Sequence, residues 1–380
     1  MHPRVRRRFA GWLSVLLVSA GGAWYLPSVS GATSLTSGHE FDYPVGLAFS
    51  GSKLWVANEK GNSVSEINPA DGSWVASLTS GPYGIEQPTS ITSYGSDIFV
   101  ANSVGSVSEI SATTRKLVRI VFGKQYHFKN PVAITETGGR VLVLNAGAGS
   151  GSITEFNAHN GALIRVISGP QYNFLGASAF ATYGPDVFVA DKTSDAVTEV
   201  NMISGRRVRV VSEQGLSGPD GIAVNAGRVW VSDSTTSSAT EINASNGAVV
   251  ATFTDSEAQY GFWDPATVIS AGSDVYIATP YGTSPMVTRV DATTGSPYWY
   301  MCNTNGPYYF SELSAFAVSG NDLWVASRSG ANSPTPGSST GSLTEMNLVS
   351  GSLMGTFPAP SPSSTTTTST TSTTTTTTTP

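Results

Sequence analysis

The sequence predicts an all-β protein, a seven-bladed β-propeller with four antiparallel strands in each blade. Three observations carry that expectation. A pattern of branched aliphatic, apolar or aromatic, Val or Ile, small, then polar turn former returns seven times, from Leu54-Trp55-Val56-Ala57-Asn58 to Leu323-Trp324-Val325-Ala326-Ser327. Successive copies stand 44, 43, 46, 42, 46 and 48 residues apart, and a period of about 40–50 residues in a turn-rich chain is that of a propeller blade. An apolar residue also precedes each copy by seven positions without exception: Leu47, Ile91, Ile134, Phe180, Ile222, Val268 and Phe316.

The elements of one blade follow in order. The first strand holds the upstream apolar residue, and a hairpin turn such as Ser50-Gly51-Ser52 or Ser319-Gly320-Asn321 leads to the second. Glycine supplies the positive φ that tight hairpins require. The offset of seven is fixed by register, because a slip of one residue would turn every buried side chain to the wrong face. The third strand carries Val64-Ser65-Glu66-Ile67-Asn68 and its copies, with Glu at positions 66, 109, 155, 199, 241 and 345 and Arg289 in the sixth repeat. A turn containing Gly72, Gly161, Gly205, Gly247, Gly295 or Gly351 leads to the fourth strand; the second repeat has Thr114-Arg115-Lys116 instead. Ser34-Leu35-Thr36-Ser37-Gly38 matches the end of a fourth strand and is expected to pair with the last blade and close the circle, leaving no free edge.

Both ends differ from this body. Arg4, Arg6, Arg7 and Arg8 precede a largely apolar run from Phe9 to Leu26, and Val29-Ser30-Gly31-Ala32 offers a small-residue cleavage site. Arg6-Arg7-Arg8-Phe9 also fits the core of a twin-arginine signal. The expected division is residues 1–32 as a signal peptide, with an uncleaved membrane anchor as the alternative, residues 33–357 as the propeller, and residues 358–380 as a disordered Ser/Thr/Pro-rich tail. That tail has no side chains with which to build a core. The protein is thus expected to be secreted or held at the cell surface, outside the cytoplasm.

Composition narrows the function classes. Charged residues are 12% of the chain, against about 25% in an average soluble domain. The net charge of -6 and pI near 5.2 leave no basic footprint for a phosphate backbone, so nucleic acid is not an expected partner. Cys302 is the only cysteine, so no intrachain disulfide is possible, and no metal signature accompanies it.

Pro44-Val45-Gly46-Leu47-Ala48, Pro88-Thr89-Ser90-Ile91, Pro131-Val132-Ala133-Ile134 and Pro219-Asp220-Gly221-Ile222-Ala223-Val224, each followed by the second-strand pattern and then Asn or Asp, resemble the NHL- and YVTN-repeat propellers found outside the bacterial cytoplasm. These are similar in turn to the streptogramin lyase propeller. The lyase resemblance implies a metal-assisted elimination with a His and acidic ligands. Here His39, His127 and His159 stand in no matching strand motif with acidic neighbours, so no catalytic residue, metal or cofactor is carried over.

Two rows of residues remain as candidates. The Glu row reads as a solvent-facing or edge-pairing feature copied with each blade, with a cation-binding ring of carboxylates as the alternative. The loops entering the blades, except Ser212 to Ser217, carry aromatic residues, and Tyr126, Phe128, Tyr172, Phe174, Tyr260, Phe262 and Trp263 are the candidate ligand-binding residues, as stacking platforms for a sugar or peptide. Sealing of the gap between blades is the competing reading of the same rings. The expected function is a non-catalytic binding or scaffold module for protein, peptide or glycan, against a lyase or hydrolase with its active site at the channel mouth. Departures from the repeat mark where to look: Ala177 and Leu313 replace the first-strand Pro in blades four and seven, blade six has Trp263-Asp264, and blade seven inserts Arg328 to Gly341.

Overall fold

A computed structural model describes residues 41–358, apart from residues 148, 150, 213–214, 255–259, 282–284, 303–307, 309 and 329–340. Twenty-eight strands form seven sheets of four, each antiparallel and each built from strands consecutive in the chain. Blade one is Pro44–Ser50, Lys53–Asn58, Ser63–Asn68 and Ser73–Thr79. The first strands of successive blades contact one another around a closed circle, with Leu313–Ser319 of blade seven against Pro44–Ser50. First strands are therefore innermost and fourth strands outermost. Loops entering the blades and turns after second strands share the upper face, and the remaining turns share the lower one.

The constant sequence offset appears as constant pairing. Leu47 faces Val56, Ile91 faces Val100, Ile134 faces Val143, and so on to Phe316 and Val325. The second strands are buried from their second residue onward in every blade. A strand covered on both faces needs a partner sheet on each side, and the core answers in seven clusters, each between two neighbouring blades. Between blades two and three, for example, Phe99, Val107 and Val121 meet Ile134, Val143 and Phe156. Each such side chain taken fully from water contributes about 1.5–3 kcal/mol.

Blade seven has four described strands of its own, with Leu353–Pro358 as the fourth. The circle closes through the same contacts that join other neighbours. Ser314 Oγ donates to the Pro44 carbonyl at 2.7 Å, as Thr89 Oγ1 does to Pro131 and Ser178 Oγ to Pro219. Phe41 and Leu47 pack against Trp324 and Leu343. Ser34–Gly38, the signal segment and residues 359–380 lie outside the described residues.

The polar residue ending each second strand is fully buried and ties the upper turns together. Asn58, Asn102 and Asn145 donate Nδ2 to hydroxyls of the third strand, Ser65, Ser108 and Thr154. Asp191 instead accepts backbone N–H bonds from Gly176, Thr193 and Ser194. Asp233 has fewer donors, Thr240 Oγ1 at 2.7 Å and the Ser217 amide at 3.3 Å. Burial pushes its carboxyl up to about 7, helped by nearby Asp195 and opposed by those two bonds. A folded-state pKa above the ordinary carboxylate value of about 4 gives stability that is full below that value and lost as pH rises through about 7. Asp233→Asn, which places in blade five the amide already present in blades one to three, is expected to raise the melting temperature more at pH 8 than at pH 5. Equal shifts at both pH values would contradict this account.

Candidate functional site on blade six

The loops entering the blades place most of the candidate aromatics in the gaps. Tyr126 is 2% exposed, Phe174 3% and Phe262 1%; Phe128, Tyr172 and Tyr260 are half-buried. The rings stack in pairs, Tyr126 on Phe128, Tyr172 on Phe174, Tyr260 on Phe262 and Tyr308 on Phe310, with centroids 5.2–5.7 Å apart. Each tyrosine hydroxyl donates to a carbonyl in the turn between the third and fourth strands of the blade it enters: Gly161, Gly205, Gly295 and Gly351. Those glycines have φ near +70°, a conformation that turns the carbonyl toward the incoming ring and that glycine adopts without strain. Tyr126, Phe128, Tyr172, Phe174, Tyr260 and Phe262 are therefore seals, and they offer no exposed stacking face. Trp263, at 65% exposure, is the exception.

The Glu row is buried, not solvent-facing. Each Glu stands opposite the large apolar residue of the second strand, Trp55 with Glu66 or Trp230 with Glu241. Guanidinium groups meet five of them: Arg115 on Glu66, Arg119 on Glu109, Arg140 and Arg165 on Glu155, Arg209 on Glu199, and Arg228 on Glu241. Blade six inverts the pair, with Arg289 on the third strand and Asp274 on the second. In blade seven Asp322 and Gly355 occupy the two positions from which arginines reach the Glu of blades two to five. Glu345 is left half-buried without a cation among the described residues, and burial together with Asp322 pushes its carboxyl up to about 7.

Little charge reaches the axis. Among the innermost strands the carboxylates are Glu136 and Asp220, the first capping the Gly139 amide and the second paired with Lys192. The described residues bring no three His, Cys, Asp or Glu side chains together as a metal would require. His159 lies edge-on to Tyr94, and His127 ends a helical turn.

Blade six breaks the repeat in several places at once. In the other blades the residue after the second strand donates its N–H to the carbonyl just before the first strand, as Ser103 does to Gln87 and Lys192 to Gly176. Blade six has Pro280 there, which has no N–H, facing Asp264. Its first strand, Thr267–Ala271, is shorter than the others and lacks their upper bulge. Of six strongly exposed aromatic residues among those described, four belong to this blade or the loop entering it: Trp263 (65%), Tyr281 (47%), Tyr298 (52%) and Tyr300 (45%). Trp263 stands between Phe262, buried in the gap, and Asp264, whose left-handed φ of +56° is shared by its counterparts Tyr43, Gln87, Asn130 and Glu312.

The two ends of this aromatic set differ in their commitments. On the lower outer side, Tyr298 donates to Asp291 at 2.6 Å, which holds that carboxyl down to about 2. The Arg289 guanidinium lies 4.4 Å from the Tyr298 ring, and Arg289 and Trp299 both donate to the Val349 carbonyl of blade seven. On the upper face, the Trp263, Asp264 and Tyr281 side chains make no hydrogen bond, ion pair or ring contact with described residues. Tyr281, Tyr298, Trp299 and Tyr300 are absent from the sequence-derived candidates. Aligned blades reveal some of them: Tyr298 stands where the others have Val75, Val118, Ile164, Val208, Val250 and Met354.

No family model and no curated protein sequence matches this chain. Among solved structures it is similar to the computationally designed Ika8 protein, at 15% identity and a TM-score of 0.60 over 84% of this chain and 87% of that one. It is also similar to BamB from Moraxella catarrhalis, at 14% identity and a TM-score of 0.51 over 76% and 81%. At such identities these likenesses show the fold alone.

Two substitution pairs separate seals from surface and test the row of charges. Phe262→Ala is expected to cost about 3–5 kcal/mol in denaturant unfolding, and Trp263→Ala to stay within about 0.5 kcal/mol. Asp322→Arg recreates in blade seven the Arg228–Glu241 geometry of blade five. Because the raised Glu345 pKa makes stability fall as pH rises from the ordinary carboxylate range through about 7, this variant should gain melting temperature at pH 8 and lose the advantage near pH 4. Asp322→Asn serves as the charge-removal control.

Proposed function

We propose that this propeller is a non-catalytic binding module that works outside the cytoplasm and takes its protein, peptide or glycan partner on blade six. One observation carries the reading. The exposed aromatic side chains gather on the blade that departs most from the repeat, while their counterparts elsewhere are aliphatic, polar or packed between blades. A rigid scaffold that repeats for stability and varies at one place for contact is how loop-presenting folds divide their labour.

Location outside the cytoplasm is supported by the basic start, apolar run and Val29-Ser30-Gly31-Ala32 site, by the Ser/Thr-rich tail, and by the repeat likeness to NHL- and YVTN-type propellers. Mass spectrometry of exported protein is expected to find a mature chain beginning near Thr33; recovery of Arg6 and Trp12 would show an uncleaved anchor instead. The binding reading is tested by retention of the full chain on washed envelopes of the exporting cells. The double variant Trp263→Ala/Tyr281→Ala should lose retention, whereas Tyr183→Ala on the lower face of blade four should keep it. Equal retention of both would remove blade six from the reading.

A further inference from the structure

We infer that the upper face of blade six binds a neutral glycan, with the Trp263 indole as the stacking surface, the Asp264 carboxylate as hydroxyl acceptor and Tyr281 as the flanking contact; this rests on the binding reading above. The first argument is preorganisation. Phe262, buried and stacked on Tyr260, anchors the backbone on one side of Trp263, and the Asp264 N–H, donating to Ser237 Oγ at 3.4 Å, anchors it on the other. The backbone that carries this exposed apolar ring is thus already ordered, which spares a ligand that part of the entropic cost. The second is proximity without obstruction. In the other blades the residue following the second strand lies within hydrogen-bond distance of the carbonyl that corresponds to that of Asp264, so the register places Pro280 beside Asp264 and Tyr281 one residue further. Pro280 removes the backbone bond made there in the other blades, while Thr279 Oγ1 donates to the Gly261 carbonyl at 3.3 Å, so the two segments are held side by side and both aromatic side chains stay exposed.

The third argument is chemical selection. A pyranose presents an apolar C–H face to an aromatic ring and hydroxyl donors at its edge, and the site offers an indole, a phenol and a carboxylate with no bond to any described residue. The Asp264 charge opposes acidic ligands. A cationic ligand gains little from an aromatic face that remains bathed in water, since such contacts strengthen only with desolvation. An extended peptide would be served better by the open edge of Pro297–Cys302 on the outer side of the blade, where backbone groups await pairing, than by two loops on the upper face.

The test is native affinity electrophoresis of the full chain through gels containing hydroxyethylcellulose, laminarin, glucomannan, dextran or soluble starch, one at a time. At least one should retard the wild type. Trp263→Ala should abolish the retardation, while Tyr281→Ala and Asp264→Asn should each weaken the apparent affinity by about tenfold. Tyr183→Ala and Tyr298→Ala should leave it unchanged, and melting curves confirm that each variant is folded. Retardation that survives both Trp263→Ala and Tyr281→Ala overturns the inference, as does failure of all five polysaccharides. Tetramethylammonium and a proline-rich peptide provide the discriminating arms. If either binds in a Trp263-dependent manner while no polysaccharide does, the glycan assignment falls and blade six stands as a binding face; if envelope retention is also insensitive to Trp263→Ala/Tyr281→Ala, both fall.

Discussion

A four-stranded sheet buried on both faces cannot stand alone, and every other feature of this molecule depends on how the gap between neighbouring sheets is filled. The blades diverge outward, so side chains that suffice near the axis leave a widening space at the rim. The chain fills it with the loop that passes from one blade to the next. A tyrosine reaches the lower turn of the blade being entered, a phenylalanine stacks on it from the inner side, and the glycine of that turn presents its carbonyl. Where the entering loop lacks the pair, the filling changes with it: Leu216 occupies the gap before blade five, and Phe41 leans on Trp74 in the gap that closes the circle.

The row of carboxylates belongs to the same problem at a greater radius. A Glu opposite Trp or Phe on a buried sheet would be costly by itself, so a guanidinium comes from whichever direction geometry allows. In blades two to four it comes from the fourth strand, in blades three and five from the start of the second, and in blade one from the turn of blade two. Arg119, Arg165 and Arg209 each also donate to a carbonyl in the lower turn of the next blade. One side chain thereby neutralises a buried charge and joins two sheets. Blade six keeps the linkage with the signs exchanged, through Arg289, Asp274 and Val349.

Most of this was legible in the sequence because it repeats. Blade number, strand order and pairing register follow from an offset that a single slip would violate, as Leu47 with Val56 and Phe316 with Val325 show. The site was read less well. Tyr126 and Phe174 carry no local sign of whether they face water or a neighbouring blade, since that depends on a sheet some 40 residues away in the chain. The Glu row misled for a similar reason: strand alternation marks a face, but in a propeller both faces are inner ones. The four strands of blade seven are all described, ending with Leu353–Pro358, while Ser34–Gly38 lies outside the described residues.

Repetition also explains why function gathers at one place. A residue copied into every blade is held there by the gap it fills, so it is not free to change for the sake of a partner. Blade six has escaped that constraint at linked positions. Pro280 removes an upper hydrogen bond, the first strand shortens, Trp299 replaces the arginine of blades two to four, and Arg289 replaces Glu. Below, the exchange is compensated, because Arg289 and Trp299 both hold blade seven through Val349. Above, Thr279 Oγ1 on the Gly261 carbonyl and the Asp264 N–H on Ser237 Oγ hold the loop backbone in place. The Trp263, Asp264 and Tyr281 side chains bond no described residue, and a large apolar ring left in water by a scaffold able to bury Phe262 beside it is explained by contact with something outside the chain.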